Sequence, residues 1–457
     1  MSPTEVDAQL DRILARETDP ERRIVLRGAH IVTMDDRGTF VGDLLVRGGV
    51  IEDVVPGSIG HVDGGLVIDA TDRIVIPGLI DSHVHAWEGQ LRGIAPDVPF
   101  QSYMAIAHGG LAPHYTPQDI AIGQTVTAMQ AINGGTTTIV DNSHNSRTSE
   151  HSDAAIDALL ASGIRAVHAA GSPTVTSPSA LPADVLRLRD SLAGRGHGRV
   201  TVRLFDVAPS LETWRFAAEH SLDVSSEVAM GMPGLEDALA SDLLGPAHTL
   251  NHCAGLTTDM WRRIADAGAA VNLAPRSDPH YGLGASVPVM DAGAADVQVG
   301  ISSDNELSYA HDMFTEMRVL LTVQRGLAFA RAAAGDPGPV PYGVLDVLRA
   351  ATVGGALNAN LAHTIGTLTP GKKADFVVLT TNTVSTSPWG SVHGTVVNFS
   401  SAANVEAVFI DGRVKKWAGE LVGFDLPDIN TQAERSREQL LSAYGSQLAE
   451  VRAGLHS

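Results

Sequence analysis

The stretch Ile76-Pro-Gly-Leu-Ile-Asp-Ser-His-Val-His-Ala-Trp-Glu88 decides how this chain is read. An apolar run enters a Pro-Gly turn, continues as a short strand and ends in two histidines one residue apart. Side chains alternate along a strand, so His83 and His85 leave the same face. Two imidazoles on one face suit Zn, Fe, Ni or Co. Such a pair is common by chance. Its weight comes from matching ligand types that recur further along the chain.

Downstream of this stretch, apolar strands alternate with helical segments, the pattern of βα units around a parallel sheet. The strands are read as Leu79–His85, Thr137–Asn142, Arg165–Gly171, Val200–Val207, Leu222–Val228, Thr249–Cys253, Ala270–Pro275 and Val297–Asp304. Helices are expected at Thr116–Asn133, Ser152–Ser162, Leu211–His220, Thr257–Ala267 and Ala310–Arg331, among others. Eight strands each followed by a helix is the count of a closed (β/α)₈ barrel, an α/β fold. Catalytic groups sit at the carboxyl ends of such strands. Those ends carry His83 and His85, Asp141 with His144, Glu227, His252 and Asp304, a nitrogen and oxygen ligand set for one divalent ion.

Outside the barrel the texture changes. Arg23–Arg27, Gly42–Val46 and Val50–Val55 are short β-rich runs broken by Asp-Asp-Arg-Gly and Gly-Gly turns, as in antiparallel hairpins. The same texture returns in Ala374–Leu379 and Val405–Arg413, so both chain ends are expected to build one small β-sandwich. The expected division is an N-terminal helical arm at 1–21, a first sandwich part at 22–76, the barrel at 77–365, a second sandwich part at 366–425 and a C-terminal helix at 426–457. The arm places Val6, Leu10, Ile13 and Leu14 on one stripe, and the last helix does so with Leu440, Leu441, Tyr444, Leu448 and Val451 over Asp428–Gly454.

With 457 residues, 44% of them hydrophobic, the chain can bury a large core. The 32 Lys and Arg against 52 Asp and Glu leave a formal charge of -20, which repels nucleic acid and anionic membrane and points to a small-molecule partner. The single cysteine, Cys253, excludes an intrachain disulfide framework and fits a reducing cytoplasm. Met1 to Arg23 lacks the apolar core of a signal peptide, and no stretch approaches the length of a transmembrane helix. A cytoplasmic globular protein is expected.

Five blocks in this order carry a resemblance: Pro77-Gly-Leu-Ile-Asp-Ser-His-Val-His85, Gly135-Thr-Thr-Thr-Ile-Val-Asp141, Asn251-His-Cys253, Ser303-Asp304 and Gly366-Thr-Leu-Thr-Pro-Gly-Lys-Lys-Ala-Asp375. Together the chain resembles the amidohydrolase superfamily, in the branch of triazine chlorohydrolases and cytosine- or guanine-type deaminases, from about residue 23 to 425. The resemblance implies a (β/α)₈ barrel with a composite β-sandwich, and a metal that lowers the pKa of a bound water. It implies that His83, His85, His252 and Asp304 hold the ion, with Asp304 as the base that takes the water proton.

Strand 5 departs from the family pattern of a histidine followed three residues later by a proton-shuttling glutamate. It reads Leu222-Asp-Val-Ser-Ser-Glu-Val-Ala-Met230. In one register Glu227 stands for the histidine ligand and Met230 for the shuttle; in the other Glu227 is the shuttle and Val224 replaces the ligand. A carboxylate is a normal ligand, but its charge makes the bound water less acidic.

The expected activity is therefore metal-dependent hydrolysis of a C–N bond, or another polar bond at an sp² carbon, in a small cyclic or amide-like substrate and not a peptide. Zinc is the leading ion, with Fe, Mn or Co as alternatives and a metal-free site left open by strand 5. The ligand set is His83, His85, Glu227, His252 and Asp304; the catalytic set is Asp304, His144 as acid, His252 and Glu227. Trp87, Glu88, Gln90, His144, Tyr281 and Asn305 are expected to touch substrate, while Arg92 suits a salt bridge. The loop Arg276–Tyr281 is a candidate wall or lid, and the Ser/Pro/Thr loop Gly171–Pro182 a shaper of the opening. Cys253, His108, His114, His151, His168 and His220 are read as structural or surface residues. A homo-oligomer is expected by resemblance. Two other readings stand beside this one: a non-hydrolytic cyclase, isomerase, dehydratase or decarboxylase, and an inactive binding protein.

Overall fold

In the computed structural model, which describes residues 3–445 apart from 174–180, 182–183, 285–286, 337 and 339, the apolar runs pair side by side in chain order. Barrel strands 1 to 8 are Leu79–Val84, Thr136–Ser143, Arg165–Gly171, Val200–Asp206, Val224–Ala229, His248–Ala254, Ala270–Leu273 and Val299–Ile301. Each pairs with its neighbour in parallel, in the unbroken order from strand 8 back to strand 1. The eighth run was expected to stay extended to Asp304 and stops at Ile301 instead. Asp304 takes a left-handed backbone, φ 71°, which turns the chain back onto strand 1. There the Asp304 N–H donates to the His83 carbonyl at 3.0 Å and the His85 N–H donates to the Asp304 carbonyl at 2.7 Å. Those two bonds close the barrel at the end that carries the candidate ligands.

Outward side chains of these strands, such as Ile139, Val271, Leu273 and Ile301, pack against the surrounding helices in one continuous core. The helices begin where the sequence supplies caps. Pro117–Asn133 starts with Thr116, whose hydroxyl accepts from Asp119 N while the Asp119 carboxylate accepts from Thr116 N, a capping box worth about 1 kcal/mol. Thr258–Ala267 is capped by Thr257 and stopped by Gly268 at φ 69°, a position glycine takes without a Cβ clash.

The chain ends build the second sheet, with nine strands. Arg23–Val32 pairs antiparallel with Thr39–Arg47 but parallel with Leu66–Asp69 and Arg73–Pro77. Plain antiparallel hairpins were expected; the sheet is mixed. The two ends meet where Arg73–Pro77 pairs with Phe376–Thr380, and Val405–Ile410, Arg413–Trp417 and Glu420–Leu421 follow outward. Arg165 of barrel strand 3 grips Asp375 with two bonds of 2.7 and 3.0 Å, and Asp375 also accepts from Asp411 N at 2.7 Å. This buried fork ties barrel to sheet.

Helix Pro3–Leu14 buries Ile13 in the core of the mixed sheet. Helix Leu426–Tyr444 packs on its own barrel, with Leu440 and Tyr444 against Trp87, Leu91 and Leu111. Its expected continuation to Gly454, with Leu448 and Val451, lies outside the described residues, as does most of the Gly171–Pro182 loop. Among the described residues no helix is long and apolar enough to cross a membrane.

Candidate metal centre and its cavity

Five donor side chains converge where the barrel closes. His83 and His85 leave strand 1 on one face with Nε2 atoms 3.3 Å apart. Glu227 on strand 5 sets Oε1 3.2 Å from His83 Nε2 and Oε2 3.1 Å from His252 Nε2. Asp304 sets Oδ1 3.4 Å from His83 Nε2 and 3.2 Å from His85 Nε2. All five side chains are buried or nearly so.

These separations test whether one ion fits. Two ligands bonded at about 2.0–2.2 Å to one ion lie roughly 2.9–3.6 Å apart. The five spacings given above fall in that window, and the donors gather as two triads that share His83: His83, Glu227 and His252, and His83, His85 and Asp304. The donor set fits a divalent metal ion.

Neighbours fix the rings. His85 Nδ1–H donates to the Asn142 carbonyl at 2.8 Å, which leaves Nε2 with its lone pair toward the cluster. His252 Nδ1 pairs with Asp278 Oδ1 at 2.7 Å, with the same result. Asp304 Oδ2 accepts from the Ser277 hydroxyl and from Asn305 Nδ2 at 3.4 Å. His252, Cys253 and Asp304 all adopt φ between 55° and 71°. Three non-glycine residues in the left-handed region at one site mark local strain that aims side chains.

The charges follow from the packing. Burial alone would raise the carboxyls, but the facing imidazoles outweigh it and hold Glu227 and Asp304 well below the usual carboxylate range. Burial works against a charged His85, yet the Asp304 carboxylate pushes it up to about 9. Protons thus occupy the cluster when no ion does, so metal and proton compete there.

Above the cluster opens a cavity of about 490 Å³. His144 and His108 stand in its wall with ring centres 4.3 Å apart, and His144 lies 4.3 Å from His85. Burial pulls His108 down to about 3 and His144 well below its ordinary value. Both are neutral at pH 7. The acid role read for His144 from sequence therefore narrows to donation of an imidazole N–H.

The expected substrate contacts separate into two groups. His144 and Tyr281 line the cavity. The other four do not. Trp87 is buried behind the wall, packed edge-on against His108, Tyr115 and His144. Glu88 accepts from the Tyr103 hydroxyl at 2.9 Å, and burial pushes its carboxyl up to about 8. Gln90 donates to the Asp119 carbonyl and to Ser436 of the C-terminal helix. Asn305 accepts from the Tyr281 hydroxyl at 3.0 Å and so positions a wall residue. For Trp87, Glu88 and Gln90 the cause is local: Ala86–Leu91 is a 3₁₀ turn, and it rotates these three side chains away from the opening.

Other readings are also placed. Arg92 pairs with Glu306 at 2.5 Å. Asp141 faces away from the cavity and binds Gln124 and His168, each at 2.8 Å. Cys253 is fully buried in the core. Asp278, read from sequence as a wall or lid residue, stands behind His252 instead. Tyr103 and His108 were missed as cavity residues; they come from Phe100–Leu111, where no strand register marks them.

A closed (β/α)₈ barrel with imidazoles and carboxylates gathered at its carboxyl face belongs to the class of barrel hydrolases that use a metal centre. The chain matches the amidohydrolase family over residues 74–274 and 234–415, and it belongs to that family. It is 28% identical over 391 residues to a 5-methylthioadenosine/S-adenosylhomocysteine deaminase of Moorella thermoacetica, covering 81% of this chain and 88% of that one. It is 26% identical to a 5'-deoxyadenosine deaminase of Methanothermobacter thermautotrophicus, covering 91% and 98%. Among solved structures, a zinc-bound adenosine deaminase from Xanthomonas campestris superposes with a TM-score of 0.77 at 21% identity, over 92% of this chain and 98% of that one. The zinc complex of atrazine chlorohydrolase TrzN from Arthrobacter aurescens gives 0.79 at 19% identity, over 91% and 100%.

Proposed function

We propose that this protein is a metal-dependent hydrolase that cleaves a C–N or other polar bond at an sp² carbon of a small heterocycle, with 6-aminopurine nucleosides the first class to assay. The observation that supports it most directly is the pair of donor triads that share His83, four of whose five residues line an open cavity. The relatives named as deaminases of adenosine derivatives support the purine class.

In this reading His83, His85, Glu227, His252 and Asp304 hold the ion, and zinc is the proposed ion. A divalent ion there supplies Lewis acidity and a water acidified toward neutral pH. Asp304 would serve both as ligand and as base in this reading: its Oδ1 faces His83 and His85, and its Oδ2 is held by Ser277 and Asn305. Asp278 keeps His252 turned toward the centre. His144 offers an N–H to the leaving atom from the wall, while His108 Nε2 is paired with the Tyr103 hydroxyl at 3.3 Å.

We read Glu227 in the register of the family's strand 5 histidine, which its approach to His83 and His252 supports, and Met230, a residue of the cavity lining, in the register of the shuttle glutamate. The added charge weakens the ion as a Lewis acid, and the leaving group loses its nearest carboxylate donor. Both effects favour leaving groups of low basicity over ammonia. The single buried Cys253 and the charge of -20 support a cytoplasmic setting, and a homo-oligomer is proposed on family grounds.

The deciding experiment measures bound metal by elemental analysis and turnover of 6-aminopurine nucleosides beside 6-chloropurine nucleosides, whose leaving group is less basic, before and after chelation. About one ion per chain with chelator-sensitive hydrolysis is expected. A metal-free protein that no added divalent ion stabilises would end this reading.

A further inference from the structure

We propose that the cavity selects uncharged substrates with an apolar arm, and that Met230 sets this preference; the proposal rests on the hydrolase reading above. The lining of the cavity is of two kinds. The imidazoles and carboxylates of the candidate centre enter it as His85, Glu227, His252 and Asp304. Phe100, Met104, Val207, Met230, Met232 and Leu283 give the rest a largely apolar character. Among the described residues no Lys or Arg lines it.

The hydroxyls of the wall are already engaged. The Tyr103 hydroxyl donates to Glu88, and the Tyr281 hydroxyl is shared between Asn305 and Ser308. An arm ending in a carboxylate would leave water and find no cation, a cost that no hydrogen bond offsets. An ammonium arm would be equally alone, because the acidic groups of the lining belong to the candidate centre. An alkyl or thioether arm meets methionine, leucine and phenylalanine, which adapt to its shape.

Met230 is held in place for this contact. Its N–H donates to the Ala254 carbonyl at 2.9 Å. Gly255 lies directly beneath, and a Cβ there would approach the Met230 Cβ to 3.2 Å. With 43% of its surface exposed, Met230 offers a free apolar side chain to the cavity.

Alkyl hydroxamates test the arm without knowledge of the substrate, because the hydroxamate binds the ion and the tail reaches the wall. On the metal-loaded protein, calorimetry compares acetohydroxamate, hexanohydroxamate and a hydroxamate of the same length ending in a carboxylate. Each methylene that is buried adds about fourfold, so hexanohydroxamate is expected to bind at least about tenfold tighter than acetohydroxamate. The carboxylate-ended probe should bind no tighter than acetohydroxamate. Met230→Asn should lose most of the alkyl gain and keep acetohydroxamate affinity, with its melting temperature confirming the fold. Equal affinity for the short and long probes, or a preference for the charged one, overturns the proposal. Failure of acetohydroxamate itself to bind would instead strike the metal-dependent reading, and this inference with it.

Discussion

Glu227 Oε2 lies 3.1 Å from His252 Nε2, and its other oxygen lies 3.2 Å from His83 Nε2, so one carboxylate bridges two imidazoles. The first prediction follows from that bridge. Glu227→Gln keeps the shape and removes the charge, and it should weaken metal binding by at least about 100-fold, beyond the 10–100-fold typical of groups outside the ligand shell. Competition with a chelating dye reads the affinity. Unchanged affinity would show that Glu227 is no ligand. The paired change Glu227→His with Met230→Glu restores the family pattern and should raise ammonia release from aminopurines.

A second prediction concerns Asp278, which holds His252 Nδ1 at 2.7 Å. Asp278→Asn can still bond the ring but admits the wrong tautomer. Metal affinity should fall about 10–100-fold with little loss of stability to heat in the metal-free protein. If affinity holds while the fold weakens, the pair is only structural.

The fold was legible because strand ends and ligand types coincide: His83, His85, Glu227, His252 and Asp304 could each be placed by counting strands. The period of two along strand 1 predicts correctly that His83 and His85 share a face. That period fails one residue later, where Ala86–Leu91 coils into a 3₁₀ turn and carries Trp87 and Gln90 into the core. His108 was illegible for a different reason. It belongs to an irregular helical segment whose place above the barrel is set by packing with Trp87, Tyr103 and His144, and no local pattern reports such contacts. The left-handed backbone of His252 and Asp304 was equally invisible, because neither residue type announces it.

A third prediction separates the two wall histidines from the ligands. His144→Phe preserves ring packing against His85 and Trp87 but removes the N–H. The expected result is a fall in kcat of about 100-fold or more with the metal content unchanged, as for loss of a proton donor. The loss should shrink for substrates whose leaving group is weakly basic. A uniform loss across leaving groups would make His144 a binding residue instead.

The last prediction uses Asp206, at the end of barrel strand 4, away from the ligands. Its Oδ2 accepts from Ser210 N at 2.9 Å, and burial nevertheless raises the carboxyl from 3.8 to about 7. A carboxyl whose folded pKa exceeds its unfolded value favours the fold while protonated. That contribution is whole below the unfolded pKa of 3.8 and drains away as pH rises through about 7. Asp206→Asn keeps an acceptor for Ser210 and removes the charge. Its melting curve should match the parent at pH 4, pull ahead as pH rises, and stand on the order of 5 °C above it at pH 8. The difference between the two proteins should stop growing once both states of the parent are ionised. A gap that is constant from pH 5 to pH 8 would mean that Asp206 is already charged in the folded protein, and that the Ser210 bond outweighs burial.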